Sequence, residues 1–509
     1  MSIFSPPDPT AYAWQRHASG SYRRLSLSSE SMWVSKPREA RHIFILAELT
    51  TTQPANADTI FDAAKKAWRK LRFEVPELQL SSVFENENAY LQYECPESQK
   101  VDTWVKQTTY LESSTEAPDF KRLRDLFLYR SRDNFCPASL LIYSQYENRQ
   151  ILDVSKKFWC MLNTDHLITD GIGTRVLLGK YLEEFSKSLA APNSVEDTKL
   201  LWGETWKNLS PPWITIMNNK QEYSGRGFKE RVSANQEYLF HTQSPDPGIP
   251  LCLPSTHSTQ EIYFLTLSRE QTTVLLKAVK SLPTTNPTNI TSLTHAAMLV
   301  AMLRLNPTQQ QHFYSACWLN GRRYLKSCTG RDMTKEFIPV CMSFAPIIFE
   351  DLTSLTVDKE ASKEETGTAL LKAVDQANSE YKKLREKESI LNEFVSIANQ
   401  IGRSIRSNPP NLQAPIPKTA APLFLSDGLT DQYISHTYPK DSSSPALVVD
   451  DIHFAANAAD EVIIRLARFR GCTRLSAEWK SDLFDGDMVR EFLGDVRRVM
   501  FSIVGEGDV

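Results

Sequence analysis

The first half of the chain alternates between apolar runs of strand length and stretches in which apolar residues recur at helical spacing. Strands are predicted at residues 41–49, 80–84, 89–95 and 158–162, and the second and third of them form a hairpin. Helices are predicted over 60–71, with Asp58 as the N-cap, and over 176–185. Residues 1–40 are rich in Ser and Pro with isolated aromatic residues, which is typical of an extended arm that docks through a few rings.

The second half shows a similar alternation. A strand is predicted at 261–267, and Ser268 is the predicted N-cap of the helix that follows it. Further elements are predicted at 289–303 (helix), 313–319 (strand), 366–386 (helix), 462–469 (strand), 473–479 (strand) and 487–503 (helix). Between residues 188 and 254 the periodicity weakens and Pro accumulates, as in a linker between domains.

The length of the chain predicts more than one domain. At 509 residues it is too long for a single core, because cores stop growing at about 250–300 residues. We therefore predict an N-terminal arm at 1–40, a first domain at 41–210, a linker at 211–254 and a second domain at 255–509.

Composition and charge exclude several classes of protein. Hydrophobic residues make up 41% and charged residues 23% of the chain, as in an ordinary globular protein. The net charge of −3 gives no general attraction to nucleic acid or to an anionic membrane. No run approaches the roughly 18 apolar residues of a membrane span, and residues 1–9 lack the pattern of a signal peptide. The expected location is therefore the cytosol.

Cofactor motifs are also missing from the sequence. The eight cysteines are scattered without a Cys-x-x-Cys pair, which argues against a disulfide framework and a zinc site. Neither a Walker loop nor a Gly-x-Gly-x-x-Gly turn is present, so nucleotide hydrolysis and dinucleotide redox chemistry have no sequence support. We predict no metal and no permanently bound cofactor.

His166 lies on the predicted turn between the strand at 158–162 and the helix at 176–185, and Asp170 follows four residues later. An imidazole, with a reference pKa of about 6.5, is well suited to remove a proton from a hydroxyl at neutral pH. Asp170 would either orient this ring or pair with a buried cation that braces the turn. Gly171 and Gly173 would let the backbone bend tightly. A lone His near an Asp is also common as a structural residue, so spacing alone leaves both roles open.

Several segments resemble the CoA-dependent acyltransferase superfamily, which includes chloramphenicol acetyltransferase, plant BAHD acyltransferases and the condensation domains of peptide synthetases. Residues 166–171, His-Leu-Ile-Thr-Asp-Gly, are similar to its His-x-x-x-Asp-Gly motif. Residues 67–78 resemble its first helix and the proline-marked turn, and 289–303 resemble the helix that opens its second half. Residues 320–323, Asn-Gly-Arg-Arg, are similar to its Asp-Gly-Arg element. The order and spacing agree over most of the chain.

Within this superfamily the chain most resembles the fungal trichothecene 15-O-acetyltransferases, by its size, by residues 71–78 and by its single motif histidine. Asp165 stands where condensation domains carry a first His, which disfavours peptide-bond formation and leaves acyl transfer intact. The Asp-Phe-Gly-Trp-Gly motif of BAHD enzymes has no copy here, and the nearest stretch is 423–429. This difference disfavours a plant-type assignment.

The resemblance implies an α/β (α+β, two-layer) fold of two chloramphenicol acetyltransferase-like domains. Each would be a mixed sheet packed with helices, with an active-site channel at their interface. It implies an O-acyltransferase, specifically an O-acetyltransferase, that uses acetyl-CoA as co-substrate and acylates a hydroxyl of a secondary metabolite such as a trichothecene-like sesquiterpenoid. His166 would be the general base in a ternary complex, and the chain would work as a monomer. The alternatives are a stand-alone condensation-like enzyme that uses a carrier-protein thioester, and a non-catalytic binding protein of the same fold.

The resemblance gives Asp170 an architectural role. Its carboxylate would turn away from the substrate and pair with Arg322 or Arg323, which together with Gly171 would brace the turn. Such a pair would tie the two halves together if it is buried, and would contribute little if it lies at the surface.

Two further functions have weaker support. Ser343 and Ser426 are hypotheses for the donor to the tetrahedral oxyanion, and both are equally compatible with ordinary strand hydroxyls. Lys326 and Arg331, beside the two arginines above, would bind the CoA phosphates. A solvated basic loop is the alternative for this cluster.

Two other histidines have suggestive neighbours. His295 lies among apolar residues on the helix at 289–303, where a satisfied core histidine is more common than a catalytic one. His453 follows two aspartates, Asp450 and Asp451, but the ligand spacing suits a metal site poorly. Neither changes the prediction that the chain binds no metal.

Overall fold

The computed structural model describes residues 7–114, 116–132, 136–145, 151–152, 157–191, 200–218, 228–230, 232–233, 247–252, 258–328, 330–387, 389–407 and 418–505. Much of the predicted linker at 211–254 therefore lies outside the described residues.

The first half contributes the strands β1 (Gln15–Arg16), β2 (Tyr22–Leu25), β3 (His42–Thr51), β4 (Ala55–Asn56), β5 (Ser81–Glu85), β6 (Asn88–Tyr93), β7 (Thr109–Ser113), β8 (Ala138–Ser144), β9 (Ile151–Leu152) and β10 (Lys157–Asp165). Its α-helices are α1 (Ser29–Ser35), α2 (Ala57–Glu74), α3 (Ser98–Thr108), α4 (Phe120–Ser131) and α5 (Gly171–Ala190). Short 3-10 helices occur at Pro9–Tyr12, Arg38–Arg41, Pro76–Gln79, Trp202–Asn208 and Trp213–Thr215.

The second half contributes the strands β11 (Ile249–Pro250), β12 (Gln260–Leu267), β13 (His312–Asn320), β14 (Met342–Glu350), β15 (Thr419–Ala420), β16 (Leu423–Leu429), β17 (Thr437–Tyr438), β18 (Leu447–Ala456), β19 (Ile463–Phe469) and β20 (Cys472–Lys480). Its α-helices are α6 (Arg269–Lys280), α7 (Ile290–Leu305), α8 (Met333–Glu336), α9 (Leu352–Leu355), α10 (Lys363–Glu386), α11 (Ile390–Ser407) and α12 (Gly486–Phe501). 3-10 helices occur at Gly321–Tyr324 and Thr430–Gln432.

Each half is built around one mixed sheet. Within the described residues, the first sheet has six strands in the order β17–β18–β3–β10–β8–β7, and the second has six in the order β12–β20–β19–β16–β13–β14. The pair β7–β8 is parallel in the first sheet, and β13–β16 and β16–β19 are parallel in the second. Helices such as α2 and α5 pack against the first sheet, whereas α7 is apolar all round and is buried in the second core. These features confirm the predicted α/β class.

The elements predicted from apolar spacing are present within a few residues of their predicted bounds. Ser268 caps α6 in a capping box, as predicted. The predicted N-cap of α2 was wrong: Asn56 accepts from the N–H of Thr59, and Asp58 lies inside the first turn. An acidic residue there interacts favourably with the positive end of the helix dipole, which is why Asp58 imitates a cap in the sequence.

One strand crosses from the second half into the first sheet. Strand β18, which the sequence places in the second half, pairs antiparallel with β3 from Leu447 opposite Thr51 to Ala456 opposite Ile43. Strand β17 extends the same edge. The position of the boundary between the domains stays a prediction, but the first sheet is completed by residues 437–456.

The N-terminal segment is not an extended arm. Strand β2 pairs with β6 and places residues 22–25 in a four-stranded sheet with β1 and β5. Helix α1 follows and packs against α11 of the second half, where the backbone carbonyl of Ser31 approaches Gly402 so closely that a Cβ there would lie 2.5 Å away. In the described part of the chain no helix is long and apolar enough to cross a membrane.

Candidate functional site

The backbone of His166 is fixed at the end of β10. Its N–H donates to the carbonyl of Arg41 at 2.7 Å, which ties the turn to the segment that enters β3. The preceding Asp165 pairs with Arg41, Oδ2 to Nη2 at 2.9 Å, and accepts from the N–H of Leu167 at 2.8 Å. The turn therefore has little freedom to move relative to the two central strands of the first sheet.

The imidazole of His166 lines a cavity of about 380 Å³ between the two halves. It is half-buried, and the indole of Trp33 stacks on it with ring centroids 3.8 Å apart and planes inclined by 13°. The Nδ1 atom is buried and has no hydrogen-bond partner among the described residues. Because Nδ1 is enclosed, Nε2 is the ring nitrogen that faces the cavity.

The surroundings of His166 favour its neutral form. Burial lowers the pKa of His166 to about 4, and the charge of Lys36 adds to this effect. The carboxylate of Asp170 and weaker contacts with the backbone of His166 and Thr169 oppose it. The ring is consequently uncharged at neutral pH, which is the state that a general base needs at the start of a reaction.

Both carboxylate oxygens of Asp170 accept hydrogen bonds from groups other than the imidazole of His166. Its Oδ1 accepts from the N–H groups of Ile172 and Gly173 at 3.1 and 2.9 Å, so the carboxylate caps α5. Its Oδ2 accepts from the N–H of Cys341 at 2.8 Å and from Nη1 of Arg322 at 3.0 Å. Burial alone would raise the pKa of Asp170, but Arg322 and these N–H groups outweigh it and hold the pKa below its ordinary value.

Arg322 joins the turn to the second half of the chain. It is fully buried, and its Nη2 lies 2.9 Å from Oδ1 of Asp170. The guanidinium also donates to the carbonyls of Phe337 and Pro339 at 2.7 and 2.9 Å. Arg323, the other predicted partner, is exposed and donates to the carbonyl of Leu384 instead.

Of the two glycines of the motif, Gly173 is required for space, and a Cβ on Gly171 would make only ordinary contacts. Neither Gly171 nor Gly173 has a positive φ, so our interpretation of a sharply bending backbone was wrong. A Cβ on Gly173 would lie 2.0 Å from the carbonyl oxygen of Ile338 and 2.3 Å from Oγ1 of Thr169. A Cβ on Gly171 would meet the ring of Phe454 at 3.4 Å. The start of α5 therefore packs directly against the second half.

A network of ion pairs lies beside the start of α5. Arg175 donates to the carbonyl of Gly171 at 2.6 Å and pairs with Asp427 at 2.6 Å. Asp427 also pairs with Arg465 at 3.2 Å. The ring of Phe454, on the exchanged strand β18, lies 4.2 Å from Cζ of Arg175 and 4.6 Å from Cζ of Arg465. The ion pairs therefore join α5 to the second sheet, and the ring of Phe454 packs against both arginines.

The structure brings some predicted residues together and separates others. His166, Asp170, Gly171, Arg322 and Ser426 all line the cavity. Ser343 does not: it is fully buried, and its hydroxyl donates to the carbonyl of Ile390 at 2.8 Å. The hypothesis that Ser343 donates to an oxyanion is therefore contradicted, because its donor is used inside the fold.

The predicted CoA-binding cluster lies away from the cavity. Lys326 is exposed, and its backbone N–H donates to the carbonyl of Ile216. Arg331 pairs with Glu336 at 3.3 Å at the surface. Neither residue lines the cavity, and their role in binding phosphate stays a prediction.

His295 and His453 occupy different surroundings. His295 is buried in the second core with both ring nitrogens hydrogen-bonded. His453 lies with Glu48 and Asp451 in a group whose ligand atoms are within 4.8 Å of one another. Lys157 and Arg474 already pair with those two carboxylates, so the group is balanced by cations of the chain itself.

Sequence reasoning missed several cavity residues. Trp33 was seen only as an isolated aromatic residue, and Asp427 and Arg465 gave no signal beyond lying in strands. His42 also lines the cavity, where its Nδ1 lies 3.0 Å from Oδ1 of Asn163 and burial lowers its pKa to about 4. The one usable signal was the position of His42 at the start of a predicted strand.

Comparison of the sequence with known proteins identifies a family. Residues 9–400 match the family described as 15-O-acetyltransferase Tri3. The chain is 23% identical over 529 aligned residues to the trichothecene 15-O-acetyltransferase TRI3 of Fusarium sporotrichioides, with 98% of each chain covered. It is also 23% identical to the trichothecene O-acetyltransferase TRI3 of Trichoderma arundinaceum, with 94% of each chain covered.

Solved structures confirm the predicted two-unit acyltransferase fold. The structure of TRI3 from Fusarium sporotrichioides is similar with a TM-score of 0.86 at 22% identity, covering 99% of this chain and 100% of that one. The first condensation domain of the calcium-dependent antibiotic synthetase is similar with a TM-score of 0.58 at 12% identity, covering 94% and 96%. Because the family match spans residues 9–400 of the 509, this chain belongs to the Tri3 family of 15-O-acetyltransferases and is an acyltransferase enzyme.

Proposed function

We propose that this enzyme transfers an acetyl group from acetyl-CoA to a hydroxyl of a trichothecene, with His166 as the general base. Family membership supports the reaction class, and the names of the two fungal relatives support the acceptor class. The observation that carries the proposal is the position of the His166 imidazole in the cavity between the halves, with Nδ1 enclosed and Nε2 available. Its low pKa, about 4, favours the neutral ring that a general base needs.

In this mechanism Nε2 of His166 removes the proton of the acceptor hydroxyl while the hydroxyl oxygen attacks the thioester carbonyl carbon. A C–O bond forms, and the carbonyl π electrons move to oxygen to give a tetrahedral oxyanion. When the carbonyl re-forms, the C–S bond breaks, and the imidazolium gives its proton to the CoA thiolate. The products are an acetyl ester and free CoA, and the ring is neutral again. No acyl-enzyme is required, so both substrates bind together.

The low pKa of His166 has two opposite effects on this reaction. It keeps the ring uncharged over the whole neutral range, but it also makes the free ring a weak base. The oxyanion that forms beside the ring offsets this weakness, because a nearby negative charge favours the imidazolium. We therefore expect the proton to move late, as the tetrahedral oxyanion develops.

Ser426 is the remaining hypothesis for an oxyanion donor from the sequence. It lines the cavity, and its hydroxyl lies 2.8 Å from that of Thr291, so one of the two hydroxyls is free to donate elsewhere. Such a donor contributes about 2.7–4 kcal/mol in other acyl-transfer enzymes.

Two further predictions from the sequence stay part of the proposal. Lys326 and Arg331 are proposed to contact the CoA phosphates. The proposed domains are residues 41–210 and 255–509.

The proposal is tested by incubating the purified full-length chain with acetyl-CoA and a trichothecene that has a free 15-hydroxyl. We expect release of free thiol that depends on both substrates, together with a product heavier by one acetyl group in mass spectrometry. The matched control is the same trichothecene already acetylated at that hydroxyl, which should release no thiol above background. The same incubation is repeated with an acetyl thioester on a carrier protein in place of acetyl-CoA.

Three results would contradict the proposal. Thiol release from the carrier protein alone would favour the condensation-like alternative. Tight binding of the trichothecene without thiol release from either donor would favour a binding protein of the same fold. Retention of full activity by His166→Ala would remove the assigned general base.

A further inference from the structure

No side chain of the described residues is hydrogen-bonded to the imidazole of His166, and its polar contacts are weaker ones with the backbone of His166 and Thr169. In most sites of this kind a carboxylate or carbonyl accepts from the second ring nitrogen and sets the orientation of the ring. Here Nδ1 has no hydrogen-bond partner among the described residues, and both oxygens of Asp170 are occupied by backbone N–H groups and Arg322. Something other than Asp170 must therefore hold the ring.

We propose that Trp33 is the positioning residue of this site, and that its indole holds the imidazole of His166 in one plane and shields one of its faces from water. This inference rests on the proposed function of His166. Trp33 lies 3.8 Å from the imidazole, centroid to centroid, with the planes inclined by 13°. A stack this close covers most of one face and leaves the ring edge and the opposite face toward the cavity.

Helix α1 holds the indole firmly. Arg24 and Glu30 form a buried bidentate pair with both distances at 2.7 Å, and Glu30 also accepts from the N–H of Leu27 at 2.7 Å at the start of the helix. On the opposite side Ser31 donates to Oδ1 of Asn399 on α11 at 2.7 Å. Because contacts from both halves hold α1, the indole of Trp33 has a fixed position although it makes no hydrogen bond within the described residues.

The indole itself has no polar anchor. Its Nε1 is buried without a hydrogen-bond partner in the described residues. The ring is therefore placed by packing, with Nζ of Lys36 lying over it at 4.9 Å from the centroid.

Removing the indole changes the surroundings of the imidazole in a predictable direction. Burial is the largest cause of the low pKa of His166, so water entering in place of the indole should raise that pKa from about 4 toward about 6.5. The charged groups that face the ring are Lys36, the residue after α1, and Asp170 on its own turn. Further charged or titratable residues line the same cavity: His42, Arg322, Asp427, Glu461 and Arg465.

The test measures kcat and the pH dependence of kcat/KM for Trp33→Ala, Trp33→Leu and Trp33→Phe. For the first two we expect kcat to fall, on the order of 100-fold for a ring displaced by about 1 Å. We also expect the acid limb of kcat/KM to move up from about pH 4. Trp33→Phe keeps an aromatic face and should recover most of kcat and the original acid limb.

Trp318 supplies the matched control. It lines the same cavity, but it packs on Phe344 and Phe394 and not on His166. Trp318→Leu should change KM for the acceptor and leave the acid limb where it is. A thermal melt of each variant, with kcat expressed per folded molecule, separates lost positioning from lost folding.

The outcomes separate this inference from the proposed function. If His166→Ala is inactive while Trp33→Leu keeps the kcat and acid limb of the parent, the positioning role is wrong and the general base stands. If His166→Ala is fully active, the proposed function itself fails. If Trp33→Ala does not fold, Leu and Phe variants that behave alike overturn the inference, and a Phe variant that outperforms Leu supports it.

Discussion

The half-buried His166 and the fully buried His295 both have a lowered pKa, but they differ in what each ring can do. Burial lowers the pKa of both, to about 4 for His166 and to about 3 for His295. Nδ1 of His295 lies 2.9 Å from the hydroxyl of Tyr381, and Nε2 lies 2.6 Å from that of Ser315. His166 has no comparable bond and lines the cavity.

The comparison shows that a perturbed pKa alone does not identify a catalytic histidine. Desolvation acts on both rings, so it cannot distinguish them. The distinguishing features are access and hydrogen bonding: a ring with both nitrogens satisfied inside a core has no capacity left to accept a proton from a substrate. His166 keeps that capacity because Asp170, its obvious partner in the sequence, is directed to Arg322.

The largest expected effect is on catalysis by His166. His166→Ala should lower kcat/KM by about 10²–10⁴-fold, because general-base catalysis contributes that much when a positioned side chain performs it. Its melting temperature should change less than that of Asp170→Ala, because no side chain of the described residues is hydrogen-bonded to the ring and the main loss is its stacking on Trp33. Steady-state kinetics with acetyl-CoA and a trichothecene measure the first quantity. The exposed His312 gives a matched His→Ala control, which should keep parental activity.

The next effect concerns the ion pair that keeps Asp170 away from the imidazole. Asp170→Ala leaves the fully buried Arg322 without its counter-charge and should cost about 3–5 kcal/mol of unfolding free energy. Urea denaturation measures this. Arg331→Ala breaks a surface pair and should cost under about 1 kcal/mol. Equal losses in the two variants would show that the Asp170 pair is not the buried brace described here.

A smaller effect is expected for His295, and on stability rather than on activity. His295→Leu retains bulk in the core but leaves Tyr381 and Ser315 without their partner, which should cost about 1–3 kcal/mol. Activity per folded molecule should stay at the parental level. His166→Leu should show the reverse pattern. If His295→Leu lost kcat while remaining folded, the contrast between the two histidines would be wrong.

The sequence predicted the local elements and the position of the turn that carries His166 well, for physical reasons. Apolar spacing reports on each element separately, and the motif from His166 to Gly171 is short and contiguous. It could not predict contacts between distant segments. Strand β18 joins the first sheet, and Trp33 stacks on His166, only because the chain folds back on itself.

The prediction that Ser343 donates to the oxyanion was wrong for a related reason. Strand alternation shows that successive side chains point to opposite faces, but not which neighbour each face will meet. Ser343 meets the start of α11, which the sequence analysis had not predicted, and its hydroxyl is used there. Ser426, on β16, lines the cavity.

The last expected effect is the pH dependence of stability, in which the two histidines should behave alike. The folded pKa of each lies below the unfolded value of about 6.5, so between these values the folded state binds fewer protons than the unfolded state. Stability should therefore fall as pH is lowered from about 6.5, by at most about 1.4 kcal/mol per pH unit for each histidine.

Denaturation of the parent, His166→Leu and His295→Leu between pH 5 and 7 measures this slope above the range in which most carboxylates titrate. Each variant should lose the same part of the slope, although only one loses activity. A slope that changed in His295→Leu alone would mean that the imidazole of His166 is already hydrated in the folded protein. The shielding that we assign to Trp33 would then be wrong, even if the general base were right.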